Sequence, residues 1–248
     1  MNDSPSKSRG VFYGVGVGPG DPELMTMKAV RLVQQCDLVT YLSSDNGYSM
    51  ARNIAATVLA DSNNPGQQEQ AIVMPMCESR EVANSVYDEA ARIIASHLDK
   101  GERVVFLCQG DPFLFGSFAY LYDRLADNYE VEIVPGISSI NASAALCGKP
   151  LGLLAENIAI ISGRRGSDDI LQTLRQFDNV AIMKPGRRRA ELLALIEAAN
   201  RVDDCCYIEY AGHENQRIVQ DIRTLDAQPG PYFSLFLVNR ARNYGSTK

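Results

Sequence analysis

Short, uninterrupted apolar runs alternate along most of the chain with longer stretches whose apolar residues recur at helical spacing. That alternation predicts βαβ units and a mainly parallel sheet. Val11–Val17 reads as the first strand, followed by a helix capped by Asp21 and running from Pro22 to about Gln35. Leu38–Tyr41 predicts a strand, Ser49–Leu59 a helix, and the polar stretch Asp61–Gln70, with its Asn64-Pro65-Gly66 turn, a loop. A short strand is expected at Ile72–Met74. Val82, Val86, Ala90, Ile93, Ile94 and Leu98 predict a helix over Arg80–Leu98 that stops at Gly101. Val104–Cys108 is apolar at every position, as in a central parallel strand covered on both faces. A helix over Phe115–Leu125, a strand over Val131–Val134 and a helix over Ser138–Cys147 follow.

The pattern breaks near Gly148-Lys149-Pro150 and starts again. Strand Ile158–Ser162, helix Asp168–Gln176, strand Val180–Met183, helix Arg189–Ala199 and strand Cys205–Tyr210 are predicted, then strands at Arg217–Ile222 and Tyr232–Val238. Two further strands without intervening helices imply a mixed sheet. The expectation is therefore an α/β chain of two α/β domains, residues 1–148 and 149–248, the second with a mixed sheet. No internal repeat is apparent.

Composition narrows the function. A net charge of −6, without a basic run interleaved with aromatics, argues against nucleic acid as the main partner. The apolar runs are far shorter than the roughly 20 residues that cross a bilayer, so no membrane partner is expected. Met1–Arg9 is polar and reads as a loose tail, not a secretory signal. Cys36, Cys77, Cys108, Cys147, Cys205 and Cys206 form no C-x-x-C pair and fall mostly in apolar runs. They read as reduced, buried thiols of a cytoplasmic protein, and no metal site is expected.

Three strand-to-helix turns carry the chemistry. In Gly14-Val15-Gly16-Val17-Gly18-Pro19-Gly20-Asp21, glycines allow a ligand close to the backbone. A dinucleotide fingerprint would need a third glycine where Pro19 or Asp21 stands, which leaves a nicotinamide-dependent oxidoreductase as a distant alternative. The second turn is Gln109-Gly110-Asp111-Pro112-Phe113-Leu114, where Asp111 either caps the next helix or presents a carboxylate to a ligand. The third is Val134-Pro135-Gly136-Ile137-Ser138-Ser139. Three such turns on one sheet edge favour a binding cleft over three separate accidents.

Five segments, in order and over nearly the whole chain, resemble the tetrapyrrole methylase family: VGVGPGDPELMTMKAVRLVQQCDLV, FLCQGDPFLFGSFAYL, VPGISSINASAALCGKPL, AIMKPGR and YIEYAGHENQRI. Members use S-adenosylmethionine to methylate porphyrinoid precursors and release S-adenosylhomocysteine. The GDPFLFGSFAYL form and the PYFSLFLV end are most similar to members that methylate carbon 20 of precorrin-2, giving precorrin-3A in cobalamin biosynthesis. The same step on the cobalt-loaded precursor, another ring position, and a non-catalytic sensor are alternatives. The resemblance implies a cofactor cleft between the two domains, usually in a homodimer. Cofactor contacts would fall at Pro19, Gln109, Gly110, Asp111, Leu114, Ser138, Ser139, Met183 and Ala211. One departure stands out: the uroporphyrinogen methylases carry an aspartate after the tyrosine ending the second strand, and here Leu42 follows Tyr41.

Methyl transfer from a sulfonium needs no protein nucleophile, and none is visible. A proton must leave the methylated carbon, for which Glu209, His213 and Tyr41 are the candidate acceptors. The substrate class is a polycarboxylate, so basic groups must meet it. Arg164 and Arg165 follow one strand of the second half; Lys184 and Arg187, with Arg188 and Arg189, follow another. Both clusters read either as carboxylate grips or as solvated helix starts. His97, in a long helix, reads as a surface or packing residue.

Overall fold

The computed structural model describes residues 9–75 and 79–240; the polar stretch before residue 9 and Cys77 lie outside them. The chain divides into two compact units, Met1–Ser138 and Ser139–Lys248. The division falls before the helix that ends at Cys147, so the pattern break at Gly148 marks the end of a helix belonging to the second unit.

In the first unit, β1 (Val11–Gly16), β2 (Leu38–Ser43), β3 (Gln68–Val73), β4 (Val104–Cys108) and β5 (Glu130–Val134) pair in the order β3-β2-β4-β1-β5. All four pairings are parallel. The helices are α1 (Met27–Gln35), α2 (Met50–Ile54), α3 (Ala56–Ala60), α4 (Arg80–Leu98) and α5 (Phe118–Leu125). The chain steps toward the β3 edge through α1 to α3 and returns through α4 and α5. Right-handed crossovers in opposite directions put helices on opposite faces, and the core divides accordingly. Val15, Val39, Val105 and Leu107 pack with α1, α2 and α3, whereas Phe12, Leu38, Val104 and Phe106 pack with α4 and α5. β1 and β4 are thus neighbours whose exits lead to opposite faces, the switch point at which open α/β sheets form a crevice.

Several elements differ from expectation for local reasons. The helix expected from Pro22 to Gln35 is two pieces, because two caps stand in series. The Asp21 carboxylate accepts from Glu23 N–H and starts a 3-10 turn at Pro22–Leu24, while Met25 is extended and the Thr26 hydroxyl caps α1 through Ala29 N–H. The helix expected over Ser49–Leu59 breaks at Ala55 into α2 and α3. β3 starts at Gln68, inside the expected loop; its first residues are exposed and polar because it is an edge strand. α5 starts three residues late, since Phe115 takes a left-handed backbone with φ 52°.

The second unit holds α6 (Ser139–Cys147), β6 (Ile158–Ser162), α7 (Ser167–Gln176), β7 (Asn179–Met183), α8 (Arg189–Ala198), β8 (Cys205–Glu209), β9 (Arg217–Val219) and β10 (Ser234–Asn239). The sheet order is β6-β7-β10-β8-β9; β6 and β7 are parallel and the other pairings antiparallel. The mixed sheet is as expected, although β9 stops at Val219 before a 3-10 turn and β10 begins only at Ser234. Ile161, Ile182, Tyr207 and Phe236 face α7 and α8. Among the described residues, no helix is long and apolar enough to cross a membrane.

Gly14 is a packing position. A Cβ there would lie 2.3 Å from the ring of Phe118, which is fully buried at the start of α5. Gly14→Ala is expected to lower stability by about 1–3 kcal/mol in urea unfolding, the usual cost of overpacking. Adding Phe118→Leu should recover part of it, and two purely additive losses would contradict this contact.

Candidate active site

At the switch point of the first unit the strand ends meet backbone to backbone. Val17 N–H donates to Cys108 O at 2.9 Å and Gly110 N–H to Gly18 O at 2.7 Å, a short antiparallel bridge beyond the parallel ladder. A Cβ on Gly16 would lie 2.6 Å from both Gly110 O and Gly136 Cα, and one on Gly136 only 2.0 Å from Gly110 O. Only glycine permits that approach. The Gln109 side-chain amide donates to Pro19 O at 3.2 Å, tying the second turn to the first. Asp111 ties the second to the third: Oδ1 accepts from Phe113 N–H at 2.9 Å and Oδ2 from Gly136 N–H at 3.1 Å. Asp111 therefore does not cap α5, which begins seven residues later, and Ser117 at that position makes no side-chain cap bond. Pro19 and Ser138 are buried beside this junction, and Leu114 is half-buried on the same loop.

In the second unit the carboxyl ends of β7 and β8 flank the start of β10, with Met183 opposite Leu235 and Glu209 opposite Ser234. Met183, Lys184, Glu209, Ala211 and His213 share this rim. Lys184 and Tyr210, each just past its strand, both have left-handed backbones (φ 58° and 51°). Such conformations cost on the order of 1–3 kcal/mol each and are held by their surroundings. Here Tyr210 N–H donates to Phe233 O at 2.8 Å, Tyr210 packs edge-on against His213, and the Lys184 ammonium lies over the exposed Tyr232 ring at 5.7 Å. Gly163 N–H donates to Met183 O at 2.7 Å, which brings the Arg164-Arg165 turn to the same rim. Ser139 opens α6 in this unit.

The profile of Tetrapyrrole (Corrin/Porphyrin) Methylases matches residues 11–226, which includes all three turns and both strand ends of the rim. The chain belongs to the tetrapyrrole methylase family. It is 33% identical over 245 residues to the cobalamin biosynthesis protein CobIJ of Mycobacterium tuberculosis, covering 95% of this chain and 47% of that protein. It thus spans about half the length of that relative. It is 30% identical over 237 residues to precorrin-2 C(20)-methyltransferase of a Sinorhizobium species, covering 92% and 95% of the two chains. Its fold is similar to uroporphyrin-III C-methyl transferase of Thermus thermophilus complexed with S-adenosylhomocysteine, at TM-score 0.64, 24% identity, and 93% and 97% coverage.

Within this tetrapyrrole methylase the candidate proton acceptors differ in their surroundings. The Glu209 carboxylate is buried and ion-paired with the buried guanidinium of Arg189 at 3.2 Å and with Arg217 at 3.8 Å. The Tyr41 hydroxyl donates to Glu69 Oε2 at 3.2 Å; burial first, then that carboxylate, raises the phenol above its ordinary value. His213 is half-buried on the rim, its backbone N–H donating to Tyr210 O.

The basic residues also divide. Arg188 donates to Gly163 O, Arg165 O and Ser167 and pairs with Glu191, which braces two turns. Arg189 is internal. Arg165 pairs with Asp169, and Arg164 and Arg187 are exposed. Tyr210, Tyr232 and Phe233 are rim residues that sequence reasoning missed. The sequence pattern places Tyr210 at the end of one expected strand and Tyr232 and Phe233 at the start of another, but only the antiparallel course of β10 brings them to the ends of β7 and β8. Among the described residues no group of three or more His, Cys, Asp or Glu side chains could hold a metal ion.

Asp111→Asn leaves one acceptor oxygen for two backbone N–H groups. It should cost about 1–3 kcal/mol in urea unfolding, the penalty for an unsatisfied part-buried donor. An unchanged midpoint would remove Asp111 as the brace between the turns.

Proposed function

We propose that this chain transfers a methyl group from S-adenosylmethionine to carbon 20 of precorrin-2, giving precorrin-3A in cobalamin biosynthesis. The junction of three turns at the β1–β4 switch point carries the reading: a backbone-lined cradle where a side chain at Gly16 or Gly136 would collide with main chain. The likeness to a precorrin-2 C(20)-methyltransferase over 95% of that relative supports the choice of substrate.

The donor's polar groups suit such a cradle. Pro19, Gln109, Gly110, Leu114 and Ser138 are the donor contacts assigned to the turns of the first unit, where Asp111 holds the shape of the cradle; Ser139, Met183 and Ala211 are those assigned to the second unit. The sulfonium donor supplies a methyl group activated for direct displacement by a carbon nucleophile. Holding donor and acceptor in line can contribute roughly 7–11 kcal/mol. Arg164, Arg165, Lys184 and Arg187 meet the substrate's carboxylates.

A homodimer in the cytoplasm completes the proposal. The half-exposed Ile158 and Ile160 (45% and 42%) and exposed Leu153 and Leu154 form an apolar strip on and before β6, the kind of surface a second copy covers. Among the described residues five cysteines are free and four of them buried, which supports a reducing compartment. Ile158→Asp with Ile160→Asp should sediment as a monomer where the parent chain sediments as a dimer; a monomeric parent would remove the dimer.

The function is tested by incubating the chain with methyl-labelled S-adenosylmethionine and precorrin-2, metal-free and cobalt-loaded, and locating the label by mass and NMR. Label on carbon 20 is expected; label on another carbon, or none with either substrate, defeats the reading. In the same assay Arg164→Ala with Arg187→Ala should raise the tetrapyrrole KM at least about tenfold with kcat nearly unchanged, as lost ground-state binding requires.

A further inference from the structure

The second unit also holds a pair of thiols that methyl transfer does not use. Cys147 ends α6, and Cys206 lies in β8 on the face of the sheet opposite Cys205. Cys206 is buried and Cys147 half-buried, so one partner is reachable from solvent. Their sulfurs are 2.9 Å apart, within about 1 Å of a ~2.05 Å disulfide bond.

We infer that Cys147 and Cys206 form a redox modification site, at which a peroxide closes an intramolecular disulfide between α6 and β8. The roles of the two sulfurs are distinct. Cys206 donates its S–H to Cys147; that hydrogen bond, helped by the Lys149 ammonium, lowers the Cys147 thiol below its ordinary value despite burial. The same bond, with burial, raises Cys206. Cys147 is thus the nucleophile and Cys206 the resolving thiol. The Cys147 thiolate attacks one peroxide oxygen, the O–O bond breaks, hydroxide leaves and a sulfenic acid forms. Cys206 sulfur then attacks the Cys147 sulfur, the S–O bond breaks, and the hydroxyl departs as water with the Cys206 proton. Two thiols are oxidised and one peroxide is reduced to two waters. The other described thiols are disfavoured as nucleophiles: burial pushes Cys36 up to about 12 and raises Cys108 and Cys205.

The experiment treats the full chain with hydrogen peroxide and maps peptides without reduction. The expected product has lost two hydrogens, carries a Cys147–Cys206 crosslink that dithiothreitol reverses, and melts several degrees higher than the reduced chain. In Cys206→Ser, oxidation of Cys147 should stop at a sulfenic acid that dimedone captures. A crosslink to Cys36, Cys77, Cys108 or Cys205 in place of this one overturns the inference. So does overoxidation of Cys147 in the parent chain while Cys206 stays a free thiol, or loss of two hydrogens that persists in Cys206→Ser. These readouts do not involve a tetrapyrrole, so they stand apart from the test of methyl transfer.

Discussion

In the first unit, three strand ends approach one another more closely than any side chain allows. Gly16, Gly110 and Gly136 come from different turns, and each presses its backbone against another's. Close approach alone would leave amide groups without partners, which a protein interior penalises by roughly the cost of a lost hydrogen bond. The junction meets that requirement internally: the Gly18–Gly110 bridge, the Gln109 amide on Pro19 O and the two oxygens of Asp111 use the exposed main-chain groups. The surface so formed is fixed by hydrogen bonds between turns, not by side chains reaching in from solvent. The order β3-β2-β4-β1-β5 makes it possible, because it sets β1 between β4 and β5 and sends the exits of β1 and β4 to opposite faces.

The second unit solves a different problem. β10 runs against β7 and β8, so its beginning lies where they end. A loop entering at a strand-end rim crowds the exits, and two exit residues, Lys184 and Tyr210, take left-handed backbones without being glycine. The Arg189–Glu209 pair lies beneath this rim. Removing one member of such a buried pair generally costs about 3–5 kcal/mol because the other charge is stranded. Glu209 is thereby part of the support of the rim, through Arg189 below and Arg217 beside it.

Local rules accounted for most elements and for the turns as turns. The alternation of apolar runs marked β1, β4, β6, β7 and β8, and the spacing in Arg80–Leu98 marked α4 to the residue. Where two local signals competed, one pattern concealed the other: Asp21 and Thr26 each start a helix, so a single helix from Pro22 was expected. Edge position overrode composition at β3, where Gln68 to Gln70 form a polar strand that periodicity cannot distinguish from a loop. In the site, Gly110 and Asp111 were legible as a strand-end turn. That Asp111 reaches Gly136, 25 residues on, was not, because the contact depends on β5 lying beside β1. The Tyr210–Phe233 contact was hidden for the same reason: it follows from the pairing of β10 with β8.

These constraints bear on how much acid–base chemistry the chain can contribute. A proton acceptor needs an unengaged basic atom within reach of the reacting carbon. Glu209 is held between two guanidiniums, and Tyr41 is a phenol that burial and Glu69 keep protonated. Transfer from a sulfonium needs neither a protein nucleophile nor protonation of the leaving group, so alignment is the larger requirement. A junction built from hydrogen-bonded backbone, with glycine wherever a Cβ would intrude, is suited to alignment because it has few rotatable side chains to order on binding. In the proposed reaction the proton would leave a carbon conjugated with the rest of a reduced tetrapyrrole, which lowers the demand on an acceptor. Asp111 acts through the geometry it imposes on the turns, as the two hydrogen bonds it accepts from the Phe113 and Gly136 N–H groups show.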